Sequence, residues 1–412
     1  MRTLICGSIA YDNIMVFPDH FKNHILPEKI HVLNVAFLVP EMRREFGGCA
    51  GNIAYNLSLL DGEPIMMATV GDDYPLYAAR FEKLGLNQDH ILHVPETFTA
   101  QAFITTDLDD NQITAFHPGA MNFSHLNSVN DTQDIRLGII APDGRDGMIQ
   151  HAREFHEAGI PFIFDPGQGL PMYNGDELLQ FIDKADYIAV NDYEGELLQE
   201  RTGRKLESLA DQAKALIITL GAQGSLIYAD GKKYQIPSVK PKAIVDPTGC
   251  GDAYRAGLLY GIVNGLDWQT TGQLSSLMGS LKIAHRGGQN HTFTRNEIDQ
   301  YYFEQFGSRL PCHILFAGCI ADKMCRRPLI GSQATDQQLT LLLQILGHFL
   351  QVFLNLARCI FHGITDIFNR IANFLILTTI QCIIDFIHHF FCCCRCFLLA
   401  CRNKQYQHHH HE

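Results

Sequence analysis

No Gly-Lys-Ser or Gly-Lys-Thr occurs in this sequence, which excludes a Walker-type nucleotide loop. The first glycine-bearing turn, Gly7-Ser-Ile-Ala-Tyr-Asp12, lacks G-x-G-x-x-G spacing, so it is not a dinucleotide fingerprint. Positive charge is scarce. The 412 residues carry a net charge of −12, which leaves no global basic footprint for nucleic acid. Cysteine is sparse in the first 307 residues, which hold only Cys6, Cys49 and Cys250. That scarcity suits a reducing compartment without structural disulfides. Met1-Arg-Thr-Leu-Ile-Cys-Gly7 has neither an h-region nor a cleavage site, so a cytoplasmic location is expected.

The end of the chain is different material. After about Ser308 come the apolar runs Leu339–Leu346, Phe349–Leu356 and Ile371–Ile387, and 10 of the 13 cysteines. Residues 308–412 carry net +4 and the rest net −16. Ile371–Phe391 has the length of a bilayer span, but Asp385, His388 and His389 are costly in lipid. Three readings stay open: a membrane-associating appendage, a helical module, or a non-native, frame-shifted end. The abrupt composition shift and crowded cysteines favour the last. Cys392-Cys-Cys-Arg-Cys396 has no second C-x-x-C pair at zinc-finger spacing. His408–His411 resemble a tag remnant.

From about residue 135 the pattern alternates. Strand-like Ile135–Ala141, Pro161–Asp165, Tyr187–Asn191, Ala215–Leu220 and Gly224–Tyr228 are interleaved with helix-like Gly147–Ala158 and Gly175–Lys184. This predicts an α/β fold with a mainly parallel sheet and helices on both faces. Ligands of such sheets lie beyond the carboxyl ends of the strands. Shorter β-rich runs at Asp12–Phe17, His31–Val39 and Gln101–Phe116 predict a small separate sheet.

Asp246-Pro-Thr-Gly-Cys-Gly-Asp-Ala-Tyr-Arg-Ala-Gly257 is a glycine-rich turn that opens into an apolar helix, Ala253 to Val263. Such a turn aims backbone N–H groups at one spot, at the positive end of a helix dipole. Gly249, Cys250 and Gly251, with the Asp252 amide, are the expected anion hole. Asp252 is the expected base, and an ordinary carboxylate pKa suffices for a loose transition state. Cys250, at a helix N-terminus, is open to two readings: a small apolar filler, or a thiol acidified by the dipole.

Glu45-Phe-Gly-Gly-Cys-Ala-Gly-Asn52, Asn191-Asp-Tyr-Glu194 and the Asp246 turn occur in one order. Together they resemble the signatures of the ribokinase-like (phosphofructokinase-B type) sugar and nucleoside kinases, over residues 1–307. The resemblance implies ATP and Mg2+, with K+ stimulation by analogy only. It makes the β-rich runs within about 12–39 and 101–116 a lid that can mediate a homodimer. It implies that Asp12, Gly47, Gly48, Asn52 and Ser8 border the acceptor, and that Asn191 and Glu194 serve the metal, chiefly through water. Thr219, Gly221 and Gly224 look like the ATP-side loop. Gly287-Gly-Gln-Asn290 and His291 would line the adenosine of ATP. Arg43 and Arg44 are either phosphate clamps or surface charges.

Phe103-Ile-Thr-Thr-Asp107 and Phe116-His-Pro-Gly-Ala-Met121 are similar to segments of bacterial adenosine kinases. Phe103 and Phe116 are then expected to sandwich a purine. The expectation is phosphorylation of the adenosine 5′-hydroxyl to AMP, in purine salvage. Other nucleosides, a free sugar, or a nucleoside-binding sensor without catalysis stay open.

Overall fold

Short runs rich in Ile, Val and Phe become strands, because β-branched and aromatic side chains fit a pleated, buried surface. In chain order these are β1 (Arg2–Cys6), β2 (Ala10–Val16), β3 (Glu41–Gly47), β4 (Glu63–Val70), β5 (Ile91–His93), β6 (Ala100–Thr106) and β7 (Gln112–His117). They continue as β8 (Ile135–Ile140), β9 (Phe162–Phe164), β10 (Tyr187–Asn191), β11 (Ala215–Thr219), β12 (Ser225–Ala229) and β13 (Lys232–Ile236). The helices are α1 (Cys49–Leu59), α2 (Pro75–Leu84), α3 (Arg145–Glu157), α4 (Gly175–Lys184), α5 (Asp192–Thr202), α6 (Leu206–Ala210), α7 (Cys250–Val263), α8 (Trp268–Ile283) and α9 (Arg295–Phe306). The computed structural model describes residues 1–25, 34–109 and 111–311. The expectations about the tail fall beyond residue 311, outside the described residues.

Nine strands make one sheet in the order β13-β12-β11-β10-β9-β8-β1-β4-β5. Its pairings are parallel except for β11–β12 and β12–β13. The two-residue period of a strand divides the sheet between two cores. Ile5, Ile139, Ile163, Ala189 and Ile217 face one cluster, with Ile53 of α1, Phe81 of α2 and Leu258 of α7. Leu4, Cys6, Ile140, Phe164, Ile188 and Ile218 face the other, with Phe155 of α3, Phe181 of α4 and Leu198 of α5. Helices therefore cover both faces, as the alternation predicted. Asn174 and Glu177 start α4 with a reciprocal capping box, and Gly203 ends α5 in a left-handed conformation.

The second sheet has the order β3-β2-β6-β7. One lid expectation needs correction. Residues 26–33 lie outside the described residues, and 34–39 form no strand. The remaining strand of this second sheet is β3, Glu-Met-Arg-Arg-Glu-Phe-Gly, whose charges hide any apolar alternation. It forms by pairing along all of β2, a tertiary cause that local pattern does not carry.

Candidate active site

Two helix N-termini meet beyond the carboxyl end of the central strands. Helix α1 follows β3 through Gly48, which has φ +83°. A Cβ there would stand 2.5 Å from the Ala10 nitrogen, so this turn needs glycine. Ser8 Oγ accepts from the Cys49 amide at 3.2 Å, so its hydroxyl anchors α1. Helix α7 starts at Cys250 after Gly249, a left-handed N-cap with φ +76°. The Cys250 amide bonds the Pro247 carbonyl at 3.1 Å. It therefore leaves the expected anion hole, which keeps the first-turn amides of Gly251 and Asp252 and that of Gly249.

Asn52 Nδ2 donates to Asp252 Oδ2 at 2.8 Å, joining the two helices. Asn52 Oδ1 accepts from Gln289 Nε2 at 3.1 Å. Gln289 also donates to Tyr77 Oη at 2.6 Å, and Tyr77 donates to the Gly47 carbonyl at 2.7 Å. One chain of hydrogen bonds thus runs from the end of β3 to Asp252. Asn52 is largely committed to this chain rather than to acceptor hydroxyls. A Cβ on Gly288 would stand 2.3 Å from Asn52 Oδ1, so glycine is what lets that loop close on Asn52.

Burial pushes the Asp252 carboxyl up to about 7, and the Asp165 charge adds to this; the Asn52 bond and Arg255 oppose it. The carboxyl thus stands above the ordinary value that would suffice for a loose transition state. Asp252 titrates where a general base works best at neutral pH. Of the two readings of the Cys250 side chain, the acidified thiol falls away. Burial, then the carboxylates of Asp246 and Asp252, push its thiol up to about 11, while Lys282 opposes them. Desolvation is the largest cause, and the apolar-filler reading fits.

Across the cleft, Asp12 lies on β2 beside Gly47 of β3, whose absent Cβ would meet Asp12 Oδ2 at 2.4 Å. Among the described residues no group donates to the Asp12 carboxylate. Burial raises it to about 6, with Asp246 and Glu45 adding repulsion. A desolvated carboxylate without donors suits vicinal hydroxyls.

The pleat separates the two lid phenylalanines. Asp12 pairs with Ala102 and Ala102 with Phe116, so Phe116 shares Asp12's face. Phe103 pairs with Asn13 and Ala115, on the opposite face. One purine cannot lie between them. The same parity divides the arginines. Arg43 is on the Asp12 face and 3.4 Å from Glu45. Arg44 is on the reverse face, donating to Asn13 Oδ1 at 2.8 Å and stacked over Tyr11.

Asn191 ends β10 and caps α5. Its Oδ1 accepts from the Glu194 amide at 2.7 Å, its Nδ2 donates to Glu194 Oε1 at 2.9 Å, and its own amide donates to Oε2 at 2.8 Å. Each Glu194 oxygen keeps lone pairs, so this hard oxygen site fits magnesium through water. Burial, then Asp165, raises the Glu194 pKa. Beside it is a pair that the sequence reading missed. Arg255 of α7 grips Asp165, just after β9, with two bonds of 3.1 and 3.0 Å, and both residues are 5 % exposed.

On the remaining side, Thr219 ends β11, and Gly221 follows it with open space at its Cβ position. Gly224 has φ +91° and closes against the Ile236 carbonyl, a role in the turn to β12. Gln289 and His291 are corrected: both are 1 % exposed. His291 bonds Asn56 of α1 at 2.8 Å inside the protein. Asn290 is exposed and donates to Glu45 of β3 at 2.8 Å.

Known proteins resemble this chain in sequence and fold. The model of the pfkB family carbohydrate kinases matches residues 12–295. The chain is 30% identical to a nucleoside kinase of Methanocaldococcus jannaschii over 275 residues, 66% of this chain and 90% of that one. It is 26% identical to ribokinase of Bacillus subtilis over 260 residues, covering 62% and 86%. A nucleoside kinase of Burkholderia thailandensis, solved with inosine, superposes with TM-score 0.69 at 55% identity, over 74% of this chain and 99% of that one. The same relative, in complex with ADP-inosine, gives TM-score 0.69 at 54% identity, over 76% and 99%. The chain belongs to the pfkB family of carbohydrate kinases, ribokinase-like in fold, and is a phosphotransferase with an alcohol acceptor.

Proposed function

We propose that this chain transfers the γ-phosphoryl group of ATP to the 5′-hydroxyl of a purine nucleoside, with residues 1–307 holding the machinery. The observation that carries the reading is the Asn52–Asp252 contact of 2.8 Å, on a carboxyl raised to about 7, at the mouth of α7. Asp252 takes the hydroxyl proton as the acceptor oxygen bonds to phosphorus and the bond to the ADP oxygen breaks. The amides of Gly249, Gly251 and Asp252 receive the charge of the transferring group. Asp12 grips the ribose hydroxyls, and Phe116 is the base-stacking residue on that face. Magnesium, when bound, neutralises phosphate charge, and Asn191 and Glu194 would hold it through water.

The acceptor class rests on two supports. The lid segments resemble those of adenosine kinases, and the Burkholderia relative carries inosine. Adenosine and inosine are both proposed acceptors. A second copy is the proposed partner for the reverse face of the lid, where Met42, Phe103 and Ile113 are exposed. The test of the chemistry is Asp252→Asn in the full chain. It should still bind ADP but lose nucleoside phosphorylation; turnover close to that of the parent would remove Asp252 from the reaction.

A further inference from the structure

Lys282 closes α8 and is 0 % exposed. Its Nζ donates to the backbone carbonyl of Asp246 at 2.7 Å and to that of His285 at 3.2 Å. Those carbonyls belong to two segments: the loop entering the anion hole, and the loop after α8. Other bonds tie the same segments. Asp246 Oδ1 accepts from Thr248 N at 2.9 Å, and Oδ2 accepts from Gly287 N at 2.8 Å. The Ile283 carbonyl accepts from Val245 N at 2.9 Å and Asp246 N at 3.1 Å. The second loop then continues to Gly288, which supports Gly249 and Asn52.

Among the described residues no carboxylate lies within ion-pair distance of the ammonium. Its acceptors are carbonyl oxygens, the donor set by which proteins hold dehydrated potassium. Ammonium and potassium are both monovalent cations that such oxygens can take. Burial lowers the Lys282 pKa, while the charges of Asp246, Cys250, Asp252 and Glu45 favour its cationic form. The potassium expected from the resemblance therefore does not fit here, because the chain's own cation already uses these carbonyls.

We propose that Lys282 is a tethered monovalent cation, which fixes the anion-hole loop to the loop after α8 and makes soluble potassium unnecessary. The clamp acts through the loops, so Lys282 is a positioning residue rather than a catalytic one.

The test uses the full chain, Lys282→Met and Lys282→Ala, in chlorides of tetramethylammonium, potassium or ammonium at equal ionic strength. ADP affinity, melting temperature and phosphorylation are read. Neither binding nor melting needs an acceptor, so a wrong nucleoside cannot be mistaken for failure of the clamp. In the parent chain, ADP affinity should change less than about twofold between the salts. The variants should lose about tenfold or more in ADP affinity in tetramethylammonium, and potassium or ammonium should restore most of it and raise the melting temperature. Parent activity or ADP binding that requires potassium would overturn the proposal. So would variants that lose function with no rescue by either cation. Should both variants fail to fold, the parent's salt comparison alone decides.

Discussion

Asp252 links two helices while its own proton affinity is raised by the protein around it. A base must be unprotonated to work, so activity should fall about tenfold per pH unit below 7. A pH–rate profile reads this directly, and a plateau continuing down to pH 5 would contradict it. Asp252→Asn should lower turnover by about a thousandfold or more. Cys250 should resist alkylation. With its thiol at about 11 rather than near 9, its thiolate fraction is about a hundredfold smaller. Iodoacetamide labelling against a free thiol compound checks that. The glycine-rich turn and Asp252 were legible in sequence because turn chemistry is local. The Asn52 link was not, since it joins residues 200 positions apart, and the pKa values were not, since burial in the folded chain is their largest cause.

At the scale of elements, α7 owes its position to its partners. The Asp165–Arg255 pair joins it to the end of β9. Asp165→Asn leaves a buried guanidinium without its counter-charge and should cost about 3–5 kcal/mol of stability, read by urea unfolding. A loss within experimental error would mean that the pair contributes nothing net. The parallel sheet was legible because apolar runs alternate with helical ones. The lid was legible in part: β2, β6 and β7 carry β-rich runs, whereas the charged β3 gains its conformation from pairing. Register also decides what local sequence cannot, namely that Phe103 and Phe116 face opposite ways. Phe103 then serves the outer face. Phe103→Asp should convert the proposed dimer to a monomer in sedimentation while leaving nucleoside affinity within about threefold. A Phe116 substitution should instead weaken the nucleoside.

For the whole molecule, buried carboxyls set the response to pH. Asp143 is 2 % exposed, and Asp143 Oδ2 has no partner among the described residues; burial holds its carboxyl at about 8. Asp252 stands at about 7. Unfolded, both lose their protons near pH 4, so between about pH 6.5 and 8 the native state binds more protons. Stability must then fall as pH rises through that window. His151 and His291, held neutral by burial, oppose this with a weight that fades above about pH 6.5. The urea midpoint should be lower at pH 8 than at pH 6.5, and Asp143→Asn should flatten the difference; a higher midpoint at pH 8 would reverse the sign of the argument. No helix among the described residues is long and apolar enough to cross a membrane. The most direct test of the whole account is ATP consumption by the full chain against adenosine, inosine and free sugars, with Asp252→Asn as blank. The account predicts turnover with the purine nucleosides, little with ribose or fructose, and none in the blank. Turnover with a free sugar alone, or equal turnover in the blank, would contradict it.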